Sequence, residues 1–208
     1  MCVRAAQQNR ETLESTHYWW AIAAVDLFEF LMVLVSIIVG LGLTEVLTGV
    51  AGLLRARGTT RYYWVHGVLT AVIFVALLQQ WWETWGLRDA PQWSFIALIL
   101  MLVGPICLFL IAHLLFPRAE ADIERYYYGP MRPVWLLGGI AIVGSTSFRP
   151  LIFGDQLLKL DNVTSLLGLG VIAVLLLSSK RITHGIIVPL MLAALLWDVL
   201  RWTPVIAG

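Results

Sequence analysis

The sequence is short of charge. Asp, Glu, Lys and Arg make up 13% of its 208 residues, against 60% hydrophobic residues and a mean hydropathy of +0.83. A soluble domain carries about 25% charged residues, so a water-soluble globular class is excluded. The net charge is +1, which leaves no global field to gather nucleic acid or acidic partners. Cysteine is scarce, with Cys2 at the terminus and Cys107 deep in an apolar run. The two match no zinc or redox spacing, and Cys107 reads as a small core residue. The opening stretch, Met1 to Arg10, lacks the apolar core of a signal peptide. Walker loops, nucleophile elbows, dinucleotide fingerprints and acidic metal motifs are all missing. No lysine falls in the middle of an apolar run, which argues against a Schiff-base pigment.

What is present is a series of long apolar segments. A bilayer core of about 30 Å needs about 20 apolar residues as helix. Six segments meet or approach that length: Phe28 to Val50, Tyr63 to Trp82, Ser94 to Phe116, Val134 to Phe153, Val163 to Ser178 and Ile182 to Trp202. The expectation is an all-α polytopic membrane bundle of about six transmembrane helices. Residues 1–27 form a tail and interfacial helix, residues 28–202 the six-span domain, and residues 203–208 a C-terminal tail. Tryptophans cluster at segment ends, where an interfacial aromatic belt belongs. The Arg55 to Arg61 loop, the Arg118 to Arg132 connection and the Lys180-Arg181 turn are basic and fall on one side by parity. The positive-inside rule puts them in the cytoplasm and both termini outside.

Charged and polar residues at membrane depth ask for a partner or a purpose. Those within the segments fall into two layers. Glu45, His66, His113 and His184 share the inner one, while Glu29, Gln79, Gln80, Arg149, Asp198 and Arg201 share the outer one. The inner histidines read first as separate interfacial groups bonding to helix-end carbonyls. A proton-relay pair of Glu45 with one histidine is the sharper alternative. A haem or metal is a lesser one, because no ligand spacing such as His-x-x-x-His supports it. In the outer layer, Arg149 lies in Gly144-Ser145-Thr146-Ser147-Phe148-Arg149-Pro150. The residue before a proline is pushed from helical angles, so the sequence predicts a broken fourth helix with Arg149 paired to Asp198 or Glu29, or binding an anion. In the first segment Gly40, Thr44, Thr48 and Gly52 recur every four residues, a small-residue seam for helix packing within the chain or between copies. Tyr126-Tyr127-Tyr128 reads as an interfacial cluster or a docking surface.

The run Ser36 to Arg55, then Leu77-Leu78-Gln79-Gln80-Trp81-Trp82, then Leu114-Leu115-Phe116-Pro117, resembles small bacterial multi-pass inner-membrane proteins of unassigned activity. The resemblance covers roughly the first 130 residues and implies a bacterial inner membrane without supplying an activity. The layout is also similar to compact six-helix prokaryotic potassium channels, but their first-helix Phe-Ser-Asp is absent. The sequence therefore points first to an oligomeric small channel or transporter whose solute path uses Glu45, His66, His113, His184, Arg149, Asp198, Glu29, Gln79 and Gln80. A non-catalytic membrane subunit or scaffold comes second, and a membrane enzyme or redox protein using the inner histidines third. Membrane lipids, further copies of the chain or partner membrane subunits are the expected partners; nucleic acid, a catalytic residue and a required cofactor are not expected.

Overall fold

In the computed structural model the described residues are 27–56, 61–87, 94–117, 122–153 and 160–201; side chains at 27, 148–153, 160–164 and 201 are outside the description. Seven helices account for almost all of them: α1 (Leu27–Arg55), α2 (Trp64–Trp85), α3 (Phe95–Leu114), α4 (Ile123–Tyr128), α5 (Arg132–Phe153), α6 (Leu160–Leu177) and α7 (Arg181–Arg201). The extended chain contributes a single bridge, Arg61 to Asp122, among these residues. The fold is all-α, as the apolar segments predict.

Four helices are long and apolar enough to cross a membrane: Phe28–Arg55, Trp64–Trp85, Phe95–Leu114 and Arg181–Leu200. They mark the chain as a membrane protein. Their outward residues agree, because Phe30, Ile37, Phe95, Ile182 and Leu200 are exposed, and hydrocarbon rather than water is the solvent that tolerates such a surface. The expected interfacial helix and both tails lie outside the described residues. The chain divides into two compact units, Met1–Leu34 and Val35–Gly208, with the division inside α1. In the first, Phe28 and Leu31 are buried while Glu29 and Phe30 are exposed.

Within the second unit five helices form a closed circuit of neighbours: α2 on α3, α3 on α5, α5 on α6, α6 on α7, and α7 back on α2. The tightest pairing is α3 with α5. A methyl group on Gly144 would come within 2.7 Å of Val103, and one on Gly104 within 2.7 Å of the Gln80 amide oxygen and 2.9 Å of the Ser145 hydroxyl. In a bilayer, helices gain little from hiding apolar surface from one another, so close backbone approach at small residues supplies the packing instead. This overturns the broken fourth helix. The backbone of α5 is helical without interruption through Arg149 and Pro150. The glycine and hydroxyl residues upstream serve the α3 contact. The Thr146 hydroxyl donates to the Ile142 carbonyl at 2.7 Å, so its polarity is absorbed within the helix.

On the α5–α6 side Gly138 and Gly139 lie under Ile172, and Gly168 under Ile142. The α2–α7 pair is parallel: Trp64 covers Gly185 near both helix starts, and Gln79 meets Asp198 further along both. The Val35–Arg55 part of α1 lies against α2 and α3. Gly42 faces Leu77 and Phe109, Gly49 faces the Phe116 ring, and the Trp81 indole donates to the Ser36 hydroxyl at 2.9 Å. The Gly40, Thr44, Thr48, Gly52 stripe points elsewhere. Nothing lies within 4 Å of a methyl group placed on Gly40 or Gly52, and the Thr44 hydroxyl bonds back to the Gly40 carbonyl at 2.8 Å.

Candidate functional site

The end of the bundle that carries the basic loops is organised around α4. Asp122 starts this helix by accepting from the backbone N–H groups of Glu124 and Arg125 at 3.0 and 3.1 Å, the usual role of an aspartate at a helix start. The Ile123 N–H donates to the Arg61 carbonyl at 3.3 Å. Glu124 pairs with Arg181 at 2.8 Å, and the Tyr126 hydroxyl donates to the Leu114 carbonyl at 2.7 Å. The chain before α2, the end of α3, α4 and the start of α7 are thus tied together.

Beneath this frame lies an aromatic cluster centred on His184. Rings of Tyr127, Tyr128 and Trp135 stand 5.4, 5.3 and 5.7 Å from the imidazole centre, and Tyr63 packs on both tyrosines. A carbonyl only accepts, so the 2.7 Å contact of His184 Nε2 with the Ser178 carbonyl places a proton on Nε2. In the neutral ring Nδ1 is then the acceptor, and the Tyr127 hydroxyl donates to it at 3.0 Å. The Tyr63 and Tyr128 hydroxyls share a further hydrogen bond at 2.7 Å. Burial raises the Tyr127 phenol above its ordinary value, and the neighbouring Tyr128 and Tyr63 add to the rise. The Tyr128 phenol is raised as well, first by burial and then by its bond to Tyr63. The cluster is a lock in which both His184 ring nitrogens and the Tyr127 hydroxyl are engaged.

The other inner histidines differ. His66 is fully buried; its Nε2 donates to the Leu115 carbonyl at 2.8 Å, its ring meets the Phe116 edge, and its Nδ1 has no hydrogen-bond partner among the described residues. It serves as a cap, because a helix leaves its last carbonyls without internal partners. His113 stands in the last turn of α3. Its Nδ1 lies 3.2 Å from Oε1 of Glu45, and the two side chains are 42% and 39% exposed. Its ring also lies against Phe109. The inner layer expected from the sequence therefore comes together only in part: Glu45 with His113, apart from His66 and His184.

The outer layer is knit by Gln79. Its side-chain N–H groups donate to Asp198 of α7 at 2.7 Å and to Glu83 at 3.0 Å, leaving its oxygen buried without a partner among the described residues. Gln80 lies beside Gly104 in the α2–α3 contact. Glu29 is exposed on α1. The backbone of Arg149 belongs to α5 and that of Arg201 to α7, while their side chains, and with them the expected ion pair to Asp198 or Glu29, lie outside the described residues.

Among the described residues no three His, Cys, Asp or Glu side chains converge as a metal site would require. The His184 cluster takes in Tyr127 and Tyr128, which beside their arginines also suit a headgroup layer. A signal was available in Asp122 as a helix start and Gly129-Pro130 as its stop, which frame Tyr126 to Tyr128 as a helix able to dock. Comparison with known protein families, curated proteins and solved structures found no match.

Proposed function

We propose that the protein is a small channel or transporter of a bacterial inner membrane, built from six spans and working as a homo-oligomer. The observation that carries this reading is the Glu45–His113 pair. It joins α1 to α3 at membrane depth, and both side chains are about two-fifths exposed. Ionisable groups within a membrane almost always face protein or a water-filled cavity rather than lipid. A pair this open in a single chain is suited to a water path or a subunit boundary. The stripe at Gly40, Thr44, Thr48 and Gly52, open beside it, is the surface on which another copy can approach closely.

Six spans extend the count by α5 and α6. Their 22 and 18 helical residues reach about 33 and 27 Å at 1.5 Å per residue. The gathering of Arg61, Asp122 to Tyr128 and Arg181 at one end supports the alternation that six spans require. With that end in the cytoplasm, both termini lie outside. Flux into liposomes is the test, using potassium, chloride and glycerol as probes. The expected result is movement of at least one probe that falls in Glu45→Gln or Arg149→Ala. If both variants match the wild type for every probe that moves, the reading is wrong.

A second reading, a non-catalytic membrane subunit, has its own support. The His184 ring nitrogens are satisfied inside the chain, which is architecture rather than chemistry. Native purification separates the two: a stoichiometric partner favours the subunit, and a clean self-assembled oligomer favours the transporter.

A further inference from the structure

We propose that the Glu45–His113 pair is a proton-binding site and that H⁺ is an ion this protein moves; the inference rests on the transporter reading above. The pair brings one acid and one base to 3.2 Å, Oε1 against Nδ1, a separation across which a proton can be shared. Two donors are too few for a divalent metal, which takes about four ligands in a closed site and three in an open one. No third candidate ligand converges on the pair among the described residues. A carboxylate in the site also disfavours an anion.

The other two membrane histidines lack these properties. His66 and His184 are buried, and each holds its Nε2 proton against a backbone carbonyl. Among the described residues His113 is the membrane histidine set against an acid, and both it and Glu45 are about two-fifths exposed. Among the described residues, the titratable groups on the elements next to them include His66 across the Phe116 ring, Tyr126 bonded to the Leu114 carbonyl, and Arg55 in the last turn of α1, while Glu124 of α4 is engaged by Arg181. Arg55 is exposed, and His66 and Tyr126 are committed to carbonyls.

The chemistry balances with a single proton. The empty pair is a carboxylate and a neutral imidazole, of charge −1. Uptake of H⁺ gives carboxylate and imidazolium. Transfer across the contact makes the same pair carboxylic acid and imidazole. Either loaded form has charge 0, and release on the other side restores −1. An isolated charge is far more costly than a neutral pair in a low-dielectric region. The loaded pair can therefore face an apolar constriction that the empty pair cannot, which is what a proton step across a membrane requires.

The experiment uses the full chain in liposomes of phosphatidylethanolamine and phosphatidylglycerol. A pH-sensitive dye inside reads proton entry driven by a valinomycin-set potassium potential. The expected result is proton entry that falls at least tenfold in both Glu45→Gln and His113→Gln, with Glu45→Asp retaining part of it. Helix content and gel-filtration elution in detergent are checked for each variant, and Ser36→Ala, at the Trp81 contact of α1, keeps wild-type entry. Equal proton entry in wild type and both Gln variants overturns the proposal. Wild-type movement of potassium, chloride or glycerol without protons overturns it while leaving the transporter reading intact. No movement of anything by the wild type overturns both.

Discussion

His184 and His113 stand at the same end of the bundle and are held in opposite ways. His184 is buried among three aromatic rings, one nitrogen donating to a carbonyl and the other accepting from Tyr127. His113 is 42% exposed and faces a carboxylate. A buried polar group left without a partner is expensive, so a site like that of His184 is fixed by the demand for satisfaction. A half-exposed acid–base pair contributes little to stability, because exposed ion pairs are worth about 0–1 kcal/mol. Residues of the same type at the same depth therefore divide into one that holds the fold and one open to exchange.

The contrast breaks first at His184 if it is wrong. His184→Ala leaves the Tyr127 hydroxyl and the Ser178 carbonyl without their bonds. The expected loss is about 2–6 kcal/mol, at about 1–3 kcal/mol for each of the two orphaned groups, read from unfolding in mixed micelles. A loss no larger than that of His113→Gln removes the distinction. Next in size is Gly144→Val, which places new atoms against Val103 where even a methyl is too close. Overpacking of this kind costs about 1–3 kcal/mol, measured in the same way, and a neutral result contradicts the tight α3–α5 contact.

Alkaline titration sharpens the comparison. The Tyr127 phenol has a folded value raised above 10, so its neutral form is favoured in the folded state. Its contribution is complete below pH 10 and is lost as pH rises beyond it, by up to about 1.4 kcal/mol per pH unit. Unfolding followed from pH 8 to 11 should steepen above 10 in the wild type and flatten in Tyr127→Phe. The smallest effects belong to the open side. His113→Gln should change stability by less than about 1 kcal/mol while altering flux. Gly40→Ala, with open space around it, should leave the monomer no less stable, with a gain of up to about 1 kcal/mol from helix propensity; a shift in oligomer size on gel filtration would place a second copy on that face.

Helix positions were readable because hydrocarbon imposes a long, uniform apolar requirement. The span expected from Ile182 to Trp202 is a helix from Arg181 to Arg201. The pairing of Glu45 with an inner histidine was readable as an option, since a lone carboxylate at depth must find a partner; which histidine depended on the register of α1 against α3, set by Gly42 and Gly49. The Arg149-Pro150 step misled. Its local preference is for a break, but the α3 contact at Gly144 and Ser145 holds the helix together just upstream, and the backbone of α5 carries on. The His184 lock was hidden because Tyr127 and His184 are 57 residues apart, and no periodicity links them.

The neighbourhood of α2 and α7 has a consequence for biogenesis. Gln79 and Asp198 are 119 residues apart, so the flank of α2 that receives α7 is made early and covered last. As the nascent chain enters the membrane, that flank, with the Gln79 amide on it, waits while a further 119 residues are made. Chains truncated before α7 therefore leave the Gln79 amide without its Asp198 partner on an uncovered flank of α2.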